Sequence, residues 1–234
     1  MYVLQVVLSH LQAGVWSDRP AFDELQQRVE SINNELHSAA SAVGGCVSTA
    51  EKFVAISSAE DAAIIAICTP LMKRVHRLIK HSGETVFVDA SGSMDRQNLR
   101  VFMLMTHSSA GALPIGVLIL PNEQSATIAA ALHLYMTLLD EQCFGGRGAA
   151  GPLVFMTDDC AAERNALHTV FPDATLLLCA FHILQAYWRF LWDSKTGVKK
   201  ESRQQLFAFL KAMLYATSES DLETVFQSAL SDAQ

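Results

Sequence analysis

Two aspartates stand where an acid is hard to place on structural grounds alone. Asp89 interrupts the apolar run Val86–Ala90 (VFVDA), and Asp158 follows the apolar run Leu153–Thr157 (LVFMT), just ahead of a helix-forming stretch. A carboxylate inside an apolar strand is costly unless it meets a cation or a hydrogen-bond donor. The carboxyl end of a strand leading into a helix is where ligands collect in α/β sheets. If these two strands are adjacent and parallel, the acids converge although they lie far apart in the chain. Two converging carboxylates with room for water suit Mg²⁺ or Mn²⁺ and phosphodiester chemistry, one ion activating the nucleophile and one stabilising the leaving oxygen. Plainer uses remain open. Asp89 also fits a turn with Ser91 and Ser93, Asp158 a strand-end turn, Asp159 a helix N-cap, and Asp95-Arg96 a solvated pair.

Cys179 and His182 form a second constellation. Their spacing at a helix start puts them on one side of it, where they can share a metal or a DNA contact. Two ligands are too few for structural zinc, which takes four, and the geometry is unusual for a thiol nucleophile and its base. The plainer reading is a strand cysteine and a donor near a helix cap. Phe181, Tyr187, Trp188, Phe190 and Trp192 read mostly as core, with Trp188 and Arg189 able to face a nucleic-acid backbone.

The chain has 234 residues, half of them apolar, enough for a sizeable core. With 24 acids against 17 bases the formal net charge is −7, the wrong sign for a strongly basic nucleic-acid clamp, so any DNA contact must be local. The N-terminal MYVLQVVLSHLQAGVW lacks a basic leader region and is too short and interrupted to span a bilayer; it reads as a buried segment, and the protein is expected to be nuclear or cytoplasmic and not secreted. The five cysteines (Cys46, Cys68, Cys143, Cys160, Cys179) contain no CxxC pair, which disfavours a disulfide framework and fits a reducing compartment.

The elements that must position these residues follow from periodicity. Phe22, Leu25, Val29, Ile32 and Leu36 mark a helix over 17–45, ending near Gly44-Gly45. Runs at 53–56 and 63–68 suit a hairpin or two separate strands, and Leu71, Val75, Leu78 and Ile79 a helix after Pro70. Three strands follow at 86–90, 101–106 and 115–120, with connections short enough for antiparallel pairing. A helix through Ile128–Leu139, a strand at 153–157, a helix at 161–170, a strand at 174–179 and helices at 181–192, 203–215 and 221–230 complete the chain. The order β-β-β-α-β-α-β-α implies a mixed α/β sheet of five strands flanked by helices, similar to the ribonuclease H-like fold, with its first and fourth strands adjacent. Neither GxGxxG nor GxxxxGK[ST] occurs, which removes the usual phosphate cradles.

Three stretches together carry a family resemblance. EKFVAISSAEDAAIIAICTPLMKRVHRLIKHSGETVFVDASGS, ALPIGVLILPNEQSATIAAALHLYM and LVFMTDDCAAERNALHTVFPDATLLLCAFHILQAYWRFL resemble successive segments of Mutator-like (MULE) transposases. The last, with its TD pair, RNAL helix, VFPDA turn and C-x-x-H, is the most specific. The likeness runs from about residue 51 to 234 and implies an N-terminal extension (1–50), a transposase-like core (51–193) and the start of a helical insertion (194–234). It further implies Asp89 and Asp158 as metal-binding catalytic acids, Cys179 and His182 as the Cys-x-x-His element, Mg²⁺ or Mn²⁺ as cofactor, and metal-dependent DNA strand cleavage and transfer. DNA is the implied partner, with room for a homo-oligomer. Asp89-Ala90-Ser91 departs mildly from the family's DAT. The family's third acid, a glutamate beyond the insertion, has no counterpart: Ser220-Asp221-Leu222-Glu223 reads as a capping box, which assigns Glu223 to its own helix start, Glu219 is its neighbour, and Asp173 reads as a turn residue. The expectation is therefore a truncated catalytic core, inactive as it stands; the alternative is a domesticated, non-catalytic DNA- or protein-binding module.

Overall fold

The computed structural model describes residues 19–42, 51–59, 62–91 and 99–232. The readings placed on 1–16, Gly44-Gly45, Cys46, Ser93 and Asp95-Arg96 lie outside these residues. The chain forms two compact units, Met1–Leu177 and Leu178–Gln234.

In the first unit the elements run α1 (Arg19–Ala42), β1 (Val54–Ala59), β2 (Ala62–Ile67), α2 (Pro70–Leu78), β3 (Thr85–Ser91), β4 (Arg100–Ser108), β5 (Gly111–Leu120), α3 (Ser125–Met136), β6 (Val154–Thr157) and α4 (Ala161–Val170), with β7 (Thr175–Leu178) at its end. The sheet has seven strands in the order β1-β2-β5-β4-β3-β6-β7, not the expected five. The extra pair is the hairpin β1–β2, which docks antiparallel on β5 with Ile65 opposite Ile119 and Ile67 opposite Val117. The reason is in the sequence of β2. Every residue from Ala63 to Cys68 is buried, and a strand covered on both faces needs hydrogen-bond partners along both edges. Asn33 of α1 ties this hairpin down: its Oδ1 accepts from the amides of Phe53 (2.8 Å) and Val54 (3.0 Å), and its Nδ2 donates to Val54 O (2.9 Å). Leu25, Val29 and Ile32 of the same helix reach the core.

The three central strands pair as their connections require, β3 with β4 and β4 with β5 antiparallel, and β6 returns parallel to β3. A buried polar clamp fixes the helices over them. The Tyr135 hydroxyl donates to Ile115 O at 2.7 Å, so the contact of 2.7 Å from His76 Nε2 must be an N–H donated to that hydroxyl. His76 Nδ1 then accepts from the Phe144 amide at 3.2 Å. This joins α2, α3, β5 and the tight turn at 143–146, where Phe144 adopts φ 52°. Gly116 makes room for it, since a Cβ there would lie 2.6 Å from the Tyr135 ring. Among the described residues no helix is long and apolar enough to cross a membrane.

In the clamp, His76 is neutral. Burial is the largest cause and pushes its pKa from 6.5 down to about 4, and a proton on Nδ1 would face the Phe144 N–H. The unfolded chain binds a proton below about pH 6.5 while the folded protein resists until about pH 4, so stability is lost as pH falls through this window. The shift of 6.5 to 4 corresponds to about 3 kcal/mol. Urea titrations at pH 7 and pH 4 should show this loss, and His76→Asn, already destabilised at pH 7, should show a flatter acid limb. An equally steep limb in the variant would contradict the assignment.

Candidate functional site

The parallel pairing of β3 and β6 sets Thr85 opposite Val154, Val86 opposite Phe155 and Phe87 opposite Met156. Carried two residues further, the same register brings Asp89 beside Asp158 on neighbouring strands, whose axes run about 4.8 Å apart. Alternation puts both acids on the face of Phe87 and Met156, while Val86, Val88, Phe155 and Thr157 turn to the buried face. Asp89 is exposed and Asp158 half-buried.

Local structure differs from expectation just after β6. Asp159 is not the cap. Its carboxylate is solvated and pairs with Arg164 Nη1 at 3.4 Å, whereas Asp158 Oδ1 accepts from the Cys160 amide at 2.8 Å and so turns the chain from β6 into α4. An aspartate accepting from the amide two residues on is the usual Asx turn, and that places its side chain at the strand end.

The third acid of this region was not anticipated. Glu163, in the first turn of α4, is 1% exposed. It sits on the stripe of that helix that also buries Ala166 and Leu167, three and four residues on. Its Oε1 has no hydrogen-bond partner. Burial first, and then the negative charges of Asp158, Asp89 and Glu123, raise its pKa from 4.5 to about 8. Glu123, which follows β5, is engaged by Arg100 Nε of β4 at 3.3 Å. The signal was present in the sequence: an acid at helical spacing from two apolar residues falls on the buried stripe.

Among the described residues, one group of three donors lies within reach of a single ion, and it is not this one. It comprises His81, Glu84 and His107, all exposed. His81 Nδ1 is 2.7 Å from Glu84 Oε2, and the His81 and His107 rings stack with centroids 4.3 Å apart. Glu84 precedes β3, five residues before Asp89, so roughly 17 Å of strand separates the two places. Two imidazoles and a carboxylate favour zinc or a similar transition ion over magnesium. Asp89, Asp158 and Glu163 do not form such a group, since one ligand atom from each does not lie within 4.8 Å of the other two.

The second unit holds α5 (Ala180–Trp192), α6 (Arg203–Leu214) and α7 (Glu219–Asp232). Cys179 immediately precedes α5 and His182 lies in its first turn, both partly buried. The expectation that the α5 aromatics are mainly core is corrected. Leu191 is the buried residue of this helix, and Phe181, Trp188 and Phe190 are 64%, 45% and 53% exposed. The rings cover one another instead, Trp188 stacked on Trp192 at 3.7 Å and edge-on to Phe207 of α6 at 5.2 Å. The capping box at 220–223 is also corrected. Ser218 Oγ accepts from the Asp221 amide at 3.1 Å, two residues ahead of the expected cap, and Glu223 accepts from Gln227 at 2.7 Å. Asp173 lies exposed in a turn.

The fold is a mixed α/β sheet flanked by helices, and the carboxyl ends of parallel strands are where ligands commonly bind in α/β sheets. Residues 94–186 match the family model of the MULE transposase domain, the family that the sequence motifs resemble, and the match suggests a transposase-related function. The matched segment contains Asp158, Glu163, Cys179 and His182, and Asp89 precedes it by five residues. No curated protein matches the chain.

The buried acid gives a pH-dependent prediction. Between about pH 4.5 and pH 8 the folded protein keeps a proton on Glu163 that the unfolded chain has lost, so this group's contribution is favourable at low pH and is lost as pH rises. The isosteric Glu163→Gln should raise the melting temperature of the metal-free protein by several degrees at pH 8.5 and leave it near wild type at pH 5. A variant less stable than wild type at pH 8.5 would contradict the placement.

Proposed function

We propose that the first unit carries the metal-dependent core of a transposase-type protein, with a ribonuclease H-like arrangement in which Asp89 and Asp158 hold Mg²⁺ or Mn²⁺ for DNA strand cleavage and transfer. The observation that carries this reading is the parallel register of β3 and β6, which aligns the two acids, in a chain whose residues 94–186 match the MULE transposase domain. The strand order β5-β4-β3-β6-β7, with β4 antiparallel to its neighbours, supports it. The donor set is all oxygen, the choice of a hard ion, and the orphaned, buried Glu163 Oε1 beside these acids fits a neighbourhood built around a cation. When bound, the ion supplies Lewis-acid polarisation of a phosphodiester and a nucleophilic water. The chain's own part is to hold the two carboxylates on rigid neighbouring strands, with the Asp158 side chain fixed through the Cys160 amide.

A second reading, a non-catalytic binding module, is favoured by the formal net charge of −7, which gives no long-range attraction for DNA. Strand processing would place the protein with DNA, and a binding module that takes a protein partner would not; the location is nuclear or cytoplasmic in either case.

Mg²⁺ or Mn²⁺ at about 100-fold above its Kd should stabilise the protein by about 2.7 kcal/mol, on the order of 5–10 °C in Tm for a chain of this size. Asp89→Ala and Asp158→Ala should each remove the response. An equal response in wild type and both variants would sink the cation site. Binding of a DNA duplex that depends on Mn²⁺ and on both acids supports the strand-processing core, and binding indifferent to metal and to these acids supports the binding module.

A further inference from the structure

We propose that Glu163 is a third carboxylate ligand of the divalent-cation site formed with Asp89 and Asp158; this rests on the reading of those two acids as metal-binding. The case begins with cost. An acid buried to 1% exposure, with one oxygen lacking any hydrogen bond, in the field of three further carboxylates, is among the least favourable arrangements a core can hold. Among the described residues, the nearby cations are engaged elsewhere: Arg100 pairs with Glu123, and Arg164, one residue along α4, turns outward to Asp159. Several other buried polar side chains of the first unit behave differently. His76, Tyr135, Ser82 and Thr106 all find partners within 3.2 Å. A cation among the carboxylates supplies what Glu163 lacks, since its orphaned oxygen gains a ligand bond and the mutual repulsion becomes shared attraction.

The position also makes chemical sense. Asp89 comes from β3, Asp158 from the end of β6 and Glu163 from the first turn of α4, so three elements supply the acids, and the Asp158 turn joins the last two. Two carboxylates leave a hard ion mostly to water; a third fixes its position more tightly. Glu163 thereby takes a place within the first unit that the two strand acids leave open.

The test is Mn²⁺ binding to the full chain by isothermal titration calorimetry, with melting curves of every variant in the absence of metal. Wild type should bind. Glu163→Gln should bind at least tenfold more weakly while melting, without metal, no lower than wild type, and Glu163→Asp, shorter but ionisable, should recover part of the affinity. Glu123→Gln should bind within about threefold of wild type. If Asp89→Asn and Asp158→Asn lose binding and Glu163→Gln keeps it, Glu163 is only a buried protonated acid and the inference is wrong, although the two-acid site stands. If wild type itself shows no binding, or binding lost only on His107→Ala, both readings are overturned. If Glu163→Gln fails to fold, Glu163→Asp decides: unchanged affinity beside a folded variant rejects the inference, and weakened affinity supports it.

Discussion

The parallel pairing of β3 and β6 is the constraint on which the rest of this architecture depends. Parallel neighbours cannot be joined by a turn, so the chain must leave β3 and come back over the sheet before β6 can be laid down. It uses that detour to build β4, β5 and α3, and β5 in turn offers the edge to which the β1–β2 hairpin attaches. β3 is thereby held between an antiparallel and a parallel neighbour, and its register with β6, carried two residues on, sets Asp89 level with Asp158 on the face opposite Val86 and Val88. The acids are aligned by backbone register, which no side-chain motion can undo.

Two kinds of buried polarity then divide the molecule. Around His76 the polar groups are closed on themselves: each donor has an acceptor, the tautomer is set by the Tyr135 hydroxyl and the Phe144 amide, and the network locks α2 and α3 to β5. Such a network rigidifies because it is satisfied. Around Glu163 the account is open. Its charge is suppressed by burial and by the acids it faces, and an oxygen is left without a partner. The closed network holds the scaffold, and the open one marks where a charge from outside has something to gain.

Much of this was legible in the sequence. β-branched runs separated by Ser, Gly and Pro placed β3 to β6 within a few residues, and the short connections gave the antiparallel pairing of β3, β4 and β5, while the adjacency of β3 and β6 came from the expected fold and not from the connections. The attachment of the hairpin was not legible, because the doubly apolar AIIAI shows that β2 is covered but not which edge it joins. Neighbouring acids were confused at Asp158 and Asp159, and hydroxyls at Ser218 and Ser220, since either member of each pair has the chemistry of a cap and backbone geometry alone decides between them. The α5 aromatics misled because their area suggests core, whereas Trp188 and Trp192 satisfy each other by stacking on the surface. Glu163 was hidden by its company. The run AAERNAL drew notice as a helix and not for its acid, and the depth of Glu163 follows only from its spacing to Ala166 and Leu167.

The most direct measurement is an anomalous-difference map from crystals of the full chain soaked in Mn²⁺. The account predicts a peak at the carboxyl ends of β3 and β6, within coordination distance, roughly 2.0–2.2 Å, of oxygens from Asp89 and Asp158, with Glu163 drawn toward it. A map in which manganese is found at His81, Glu84 and His107 while that edge stays empty would contradict it.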